Sequence, residues 1–181
     1  MPWRYQSRGE ADFYYVFNSS YQNETIFRSP EDYRKFVGRI RQLSGAGSAV
    51  RVVAYSINRN SFHMVLKEDR KGSIADFVHK LSVSYAMYHN SRYKVKGRVF
   101  RGPYKELALA SDHELLDKIA QLHKMPLLYQ SKPEKYLWTS YRSYIRGNST
   151  WLFMEPVIDY FNSVNFAKAI MSYTDSVPLS E

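Results

Sequence analysis

Residues 50–66 read VRVVAYSINRNSFHMVL: two apolar, β-branched runs on either side of a polar break. The first run is Val50 to Ile57 and the second Phe62 to Leu66, with Asn58-Arg59-Asn60 between them. Short apolar runs separated by turn-forming residues predict a hairpin of two central strands. Upstream, Asp12 to Ser19 (DFYYVFNS) is aromatic and β-branched and predicts another strand. Between them Ser29-Pro30-Glu31-Asp32 carries the marks of a helix start, with Ser as N-cap, Pro in the first turn and two acids behind it. Tyr33, Phe36, Val37, Ile40 and Leu43 then recur at helical spacing until Gly45-Ala46-Gly47. Downstream of the hairpin, Gly72-Ser73 introduces a longer helix with Ile74, Phe77, Val78, Leu81, Tyr85 and Tyr88 on one stripe. A strand follows at Glu106 to Ala110, and Ser111-Asp112-His113-Glu114 opens a third helix in capping-box form, ended by Pro126. A helical tail is expected from Glu155 to Tyr173. The order strand–helix–strand–strand–helix–strand predicts an α+β fold, a ferredoxin-like antiparallel sheet (βαββαβ) covered by helices on one face, plus a helical C-terminal tail.

Composition narrows the function classes. The 181 residues include no Cys, which excludes a disulfide framework and a thiolate metal site. Met1-Pro2-Trp3-Arg4-Tyr5 lacks the apolar centre of a signal peptide, and no apolar run reaches membrane-spanning length. The expectation is therefore a cytoplasmic protein with no membrane partner. Charge is uneven along the chain. Of a net +9, the part through Lys105 carries +11 and the remainder −2. Together with 16 Tyr and 10 Phe, this asymmetry points to a polyanion-binding face where aromatic rings stack on unpaired bases.

Several local motifs stand in a telling order. Ala54-Tyr55-Ser56-Ile57-Asn58-Arg59-Asn60-Ser61-Phe62-His63 comes first, then Tyr85-Ala86-Met87-Tyr88-His89-Asn90. Gly97-Arg98-Val99-Phe100-Arg101-Gly102-Pro103-Tyr104-Lys105 follows, then Gln121-Leu122-His123-Lys124-Met125-Pro126, and finally Trp138-Thr139-Ser140-Tyr141. This succession resembles the HUH-family single-tyrosine transposases, of the IS200-like and REP-associated branch, from about Phe13 to about Tyr144. The resemblance implies a transposase-like domain over residues 1–145, with 146–181 a helical extension packed on it. It also implies single-stranded or hairpin DNA as the partner and, for active members, magnesium or manganese as the cofactor.

In such enzymes two strand histidines bind the metal, a helix tyrosine attacks the phosphorus, and an amide four residues on completes the shell. Carried over residue by residue, the first histidine falls on Ser61 and the second on His63. The nucleophile falls on Gln121 and the helix ligand on Met125. An amide cannot attack phosphorus, and a thioether suits a hard cation poorly. No catalytic set is thus intact, His63 is a residual metal ligand, and no cofactor is expected. Tyr85 and Tyr88 lie on an apolar stripe, where tyrosine is core. Tyr129 lies beyond Pro126. His79, His89, His113 and His123 show no metal-ligand spacing. The resulting expectation is DNA binding without cleavage. An active nuclease with a rearranged site and a protein-interaction module on the same fold remain the alternatives.

The binding expectation centres on residues 91–105, which hold Arg92, Lys94, Lys96, Arg98, Arg101 and Lys105 and no acid. Tyr93, Phe100 and Tyr104 are interleaved as candidate stacking rings. A homodimer is also expected, because the FYYVF run is apolar on both alternating faces, as a covered strand is.

Overall fold

The hairpin forms as read, with β2 at Val50–Asn58 and β3 at Ser61–Glu68, so the turn shrinks to Arg59 and Asn60. This computed structural model describes residues 12–162 and 165–179. Met1 to Tyr5, read above as lacking a signal-peptide centre, and part of the predicted tail lie outside the described residues. The remaining strands are β1 (Phe13–Ser19) and β4 (Lys105–Leu109), and the sheet order is β2-β3-β1-β4 with every neighbour antiparallel. Between the strands run α1 (Pro30–Leu43) and α2 (Ser73–Tyr93). After β4 come α3 (Asp112–Lys124), α4 (Tyr141–Arg146), α5 (Glu155–Phe161) and α6 (Phe166–Ser176). This is the βαββαβ arrangement in an α+β fold.

Local chemistry explains the element ends. Asp32 in the first turn of α1 accepts the backbone N–H of Arg28 and of Ser29, each at 2.8 Å, which fixes the entry of that helix. At α3, Ser111 Oγ accepts the N–H of Glu114 at 3.2 Å, while the Glu114 carboxylate reaches back to the N–H of Ala110 at 2.8 Å. Pro126 does not stop the chain from winding. It sits inside a tighter 3₁₀ turn, Met125–Tyr129, because a proline near the start of a helical segment loses no hydrogen bond. The predicted tail helix is two helices, since Asn162 takes φ 34° and ends α5.

Helices cover both faces of the sheet, not one. α1 and α2 pack against one face, where Phe62 of β3 meets Phe36 of α1 with ring centroids 5.2 Å apart. α3 lies against β2 and β3 on the other face, with α4 and α6 stacked outside it. The physical reason is in β2, eight of whose nine residues are buried, so the strand needs cover on both sides. A β-bulge between Val52 and Ala54 leaves the Val53 carbonyl facing outward, and it accepts the hydroxyl of buried Tyr144 at 3.0 Å. β1 is interior, flanked by β3 and β4. Its two apolar faces are covered within one chain, so the observation behind the expected homodimer needs no second copy.

The two outer strands differ. Along β2 the Ile57 N–H donates to Trp138 O at 2.9 Å, Ser140 N–H to Tyr55 O at 3.0 Å and Phe153 N–H to Val52 O at 2.8 Å. The outer side of β4 pairs with no strand among the described residues, and Leu107 there is 55% exposed. Among the described residues no helix is long and apolar enough to cross a membrane.

Candidate nucleic-acid interface

Side chains alternate along β3, so Ser61 and His63 point to the α3 side while Phe62 points to the core beneath α1. There they meet the helix. A cavity of about 430 Å³ is lined by Tyr15, Asn58, His63, Lys118, Gln121 and Met125, among others. The fold thus gathers three of the four positions that the resemblance singles out, His63, Gln121 and Met125, with Ser61 beside them at 3.0 Å from His63. It adds three that sequence reading did not: Tyr15 from β1, Asn58 from the end of β2 and Lys118 one turn before Gln121.

The cavity's polar groups are already engaged with one another. Tyr15 OH lies 2.7 Å from His63 Nδ1, and His63 Nε2 lies 3.0 Å from Ser61 Oγ. A neutral ring with its proton on Nε2 satisfies both contacts. Asn58 Nδ2 donates to Ser61 Oγ at 3.3 Å and approaches Met125 Sδ at 3.8 Å. Lys118 Nζ donates to Gln121 Oε1 at 2.7 Å and sits 4.5 Å from the centre of the Tyr15 ring. Burial, and secondarily the Lys118 charge, push the His63 pKa down to about 4, so the ring is neutral at physiological pH. Burial also pushes the Tyr15 hydroxyl up to about 12 and lowers the pKa of Lys118.

This donor set does not fit a hard divalent cation. Both imidazole nitrogens have partners, the Gln121 oxygen is taken by an ammonium, Met125 offers sulfur, and Lys118 brings positive charge to the place. Among the described residues no three His, Cys, Asp or Glu side chains come together. His123 is no ligand either. It is fully buried, 2.9 Å from Ser140 Oγ, with its pKa pushed by burial down to about 3. Tyr85 and Tyr88 lie far from this chemistry, with their hydroxyls on Ile26 O at 2.8 Å and Asp32 Oδ1 at 3.0 Å.

No family model matches the chain, and no curated protein matches it. Solved structures do. A REP-associated tyrosine transposase bound to a REP hairpin superposes with a TM-score of 0.56 and 7% identity, over 81% of this chain and 86% of that one. The chain has the fold of a REP-associated tyrosine transposase. A transposase candidate from Deinococcus radiodurans R1 aligns over 72% of this chain and 98% of its own, at a TM-score of 0.47 and 16% identity.

On this transposase fold the basic segment leaves the end of α2 and returns to the sheet at β4. Lys94 takes φ 54° and caps α2, and Gly97 takes φ 108°, a backbone shape that favours glycine. Val99 and Phe100 turn inward. Phe100 is 8% exposed and meets Phe62 edge-on at 5.5 Å, so it anchors the segment and offers no face to a base. The backbone is pinned beside it by Tyr21 N–H to Val99 O and Arg101 N–H to Ser19 O, each 2.9 Å. Tyr93 is also tethered, its hydroxyl donating to Asp32 at 2.6 Å, and Arg92 pairs with the same carboxylate at 3.5 Å. Burial raises the Asp32 pKa, but hydrogen bonds from Tyr93, the Ser29 and Arg28 N–H groups and Tyr88 outweigh it and hold the carboxyl below its ordinary range. Tyr104 is half-buried, and Lys105 Nζ lies 5.8 Å from the Phe17 ring. Lys94, Lys96, Arg98 and Arg101 are exposed and make no ion pair among the described residues.

Proposed function

We propose that the protein binds hairpin or single-stranded DNA in the cytoplasm without cutting it, a transposase-like domain (1–145) whose extension (146–181) supports α3. The observation that carries this reading is the run of four exposed cations, Lys94, Lys96, Arg98 and Arg101, unpaired among the described residues, on a fold whose solved neighbour holds a DNA hairpin. Phosphate contacts from such side chains supply affinity that does not depend on sequence. Gln121 at the nucleophile's position supports the absence of cleavage, as does the ammonium of Lys118 at 2.7 Å from it.

One observation favours a working enzyme. Tyr15 is a hydroxyl inside the cavity, 2.7 Å from a histidine that would act as its base. Burial opposes this by raising the Tyr15 pKa to about 12, since attack needs the phenolate. Mobility shifts with a folded hairpin, a single strand and a duplex, followed by a denaturing gel with magnesium or manganese, separate the readings. Preferential retention of the first two with no covalent adduct is the expected result. An adduct lost in Tyr15→Phe would establish the rearranged enzyme, and no retention at all would favour a protein-interaction module.

A further inference from the structure

A second cavity, about 700 Å³, opens where the start of α1 meets the β2–β3 turn, and its walls include Arg28, Arg59, Tyr33 and Trp138. The Trp138 indole lies nearly parallel to the Tyr33 ring, with centroids 4.8 Å apart and an angle of 16°. Tyr33 in turn meets Phe27 at 5.1 Å, and Phe27 meets Tyr85 at 4.8 Å. These rings form a column rising out of the core. Half-buried Trp138 is its outermost member, and among the described residues no further ring covers it.

Two guanidinium groups flank the column, and one residue positions both. Arg59 Nη2 donates to Thr25 Oγ1 and Arg28 Nε donates to Thr25 O, each at 3.2 Å. Both arginines are exposed, and neither pairs with a carboxylate among the described residues. Glu24 also lines the cavity and opposes them. Asp32 lies behind, but its oxygens are occupied by Tyr88, Tyr93, Arg92 and two backbone N–H groups. The Arg28 guanidinium stands 4.5 Å over the Tyr93 ring, so one wall residue of the cavity touches the start of the basic segment.

A flat apolar face beside two fixed cations matches a heterocycle that carries a phosphate. The interior of a duplex cannot offer it, because both faces of a paired base there are already stacked within the helix. We propose that this cavity takes one unpaired nucleotide of the bound DNA, its base extending the column on Trp138 and its phosphate lying between Arg28 and Arg59. The inference rests on the DNA-binding reading above and adds a location and a strand state to it.

The test compares a blunt DNA hairpin with the same hairpin bearing a short single-stranded extension that contains 2-aminopurine. Wild type is expected to prefer the extended hairpin and to quench the 2-aminopurine by stacking. Trp138→Leu should weaken binding of the extended hairpin by about five- to hundred-fold, the usual worth of one base–aromatic stack, and leave the blunt one unchanged. Trp138→Phe should retain most of the preference. Should the leucine variant unfold, Arg28→Ala with Arg59→Ala decides, since both side chains are exposed and the column stays whole. That pair should flatten the salt dependence for the extended hairpin alone by about 0.7 of a unit, the worth of one phosphate. Equal losses on both hairpins, or none, would overturn the nucleotide site while leaving DNA binding in place. A wild-type protein that retains neither hairpin overturns both.

Discussion

Replacing Lys94, Lys96, Arg98 and Arg101 together by Ala is the most direct test of the interface, and the structure sets its size. Each of the four is exposed and holds no carboxylate among the described residues, so each is free to displace a counterion from a phosphate. Arg92 is left out of the set because it already bridges to Asp32 at 3.5 Å. A cation that neutralises one phosphate of a single strand contributes about −0.7 to the slope of log affinity against log salt. Four full contacts amount to about 2.8, so the variant should lose roughly two to three units of slope. The fold should survive, because Val99 and Phe100 anchor the segment and the hydrogen bonds that pin it come from backbone atoms. Fluorescence anisotropy with a labelled single strand from about 50 to 200 mM salt measures the slope. Circular dichroism and a melting curve check the fold. Arg146→Ala with Lys168→Ala, on α4 and α6, serves as a control of similar charge type and should change the slope little. An unchanged slope in a folded quadruple variant would refute the assignment and move the main contact surface elsewhere.

Acid should destabilise the protein well before its carboxylates titrate. His63 and His123 have pKa values of about 4 and about 3, both below the ordinary value, so the unfolded chain takes up two protons that the folded one refuses. Stability is fully present above about pH 6.5 and falls toward pH 4, by about 4 kcal/mol in total at pH 5; a melting temperature that stays flat from pH 7.5 to 5 would contradict this. Gln121→Tyr alone should form no covalent DNA adduct, since Lys118 still occupies the cavity and Ser61 and Met125 still supply no metal shell. An adduct from that single change on a denaturing gel would refute the account of the cavity. Self-association, expected above from the FYYVF run, should use the outer side of β4 if it occurs. Light scattering should then report twice the chain mass of 21.3 kDa, and Leu107→Lys should return it to one chain; a single-chain mass for the wild type at micromolar concentration decides against pairing.

What could be read from the sequence was whatever local chemistry determines. The hairpin, the capped start of α1, the capping box of α3 and the element order all follow from residues close in the chain. Cover on the second face of the sheet does not follow from element order; its signal is the nearly unbroken apolar run of β2, which is buried on both sides. The inward turn of Phe100 was hidden, since an anchoring ring and a stacking ring look alike between the same charges. Of the cavity, His63, Gln121 and Met125 follow from motif order, and Lys118 was within reach at one helical turn from Gln121. Tyr15 and Asn58 were not, for they come from separate strands that only the sheet register aligns. The Tyr33–Trp138 column joins residues more than a hundred positions apart and leaves no periodic trace.

The unequal edges of the sheet limit how the protein can assemble. Trp138, Ser140 and Phe153 occupy hydrogen-bonding groups along β2, whereas the outer side of β4 pairs with no strand among the described residues. A sheet that is sticky on both rims can add copies without end, as fibrils do. A sheet with one rim open to strand pairing has one handshake to give, and two molecules that join by it have none left. Strand pairing between copies is then a chain-terminating event: it is self-complementary, closed by a twofold axis and incapable of seeding a filament.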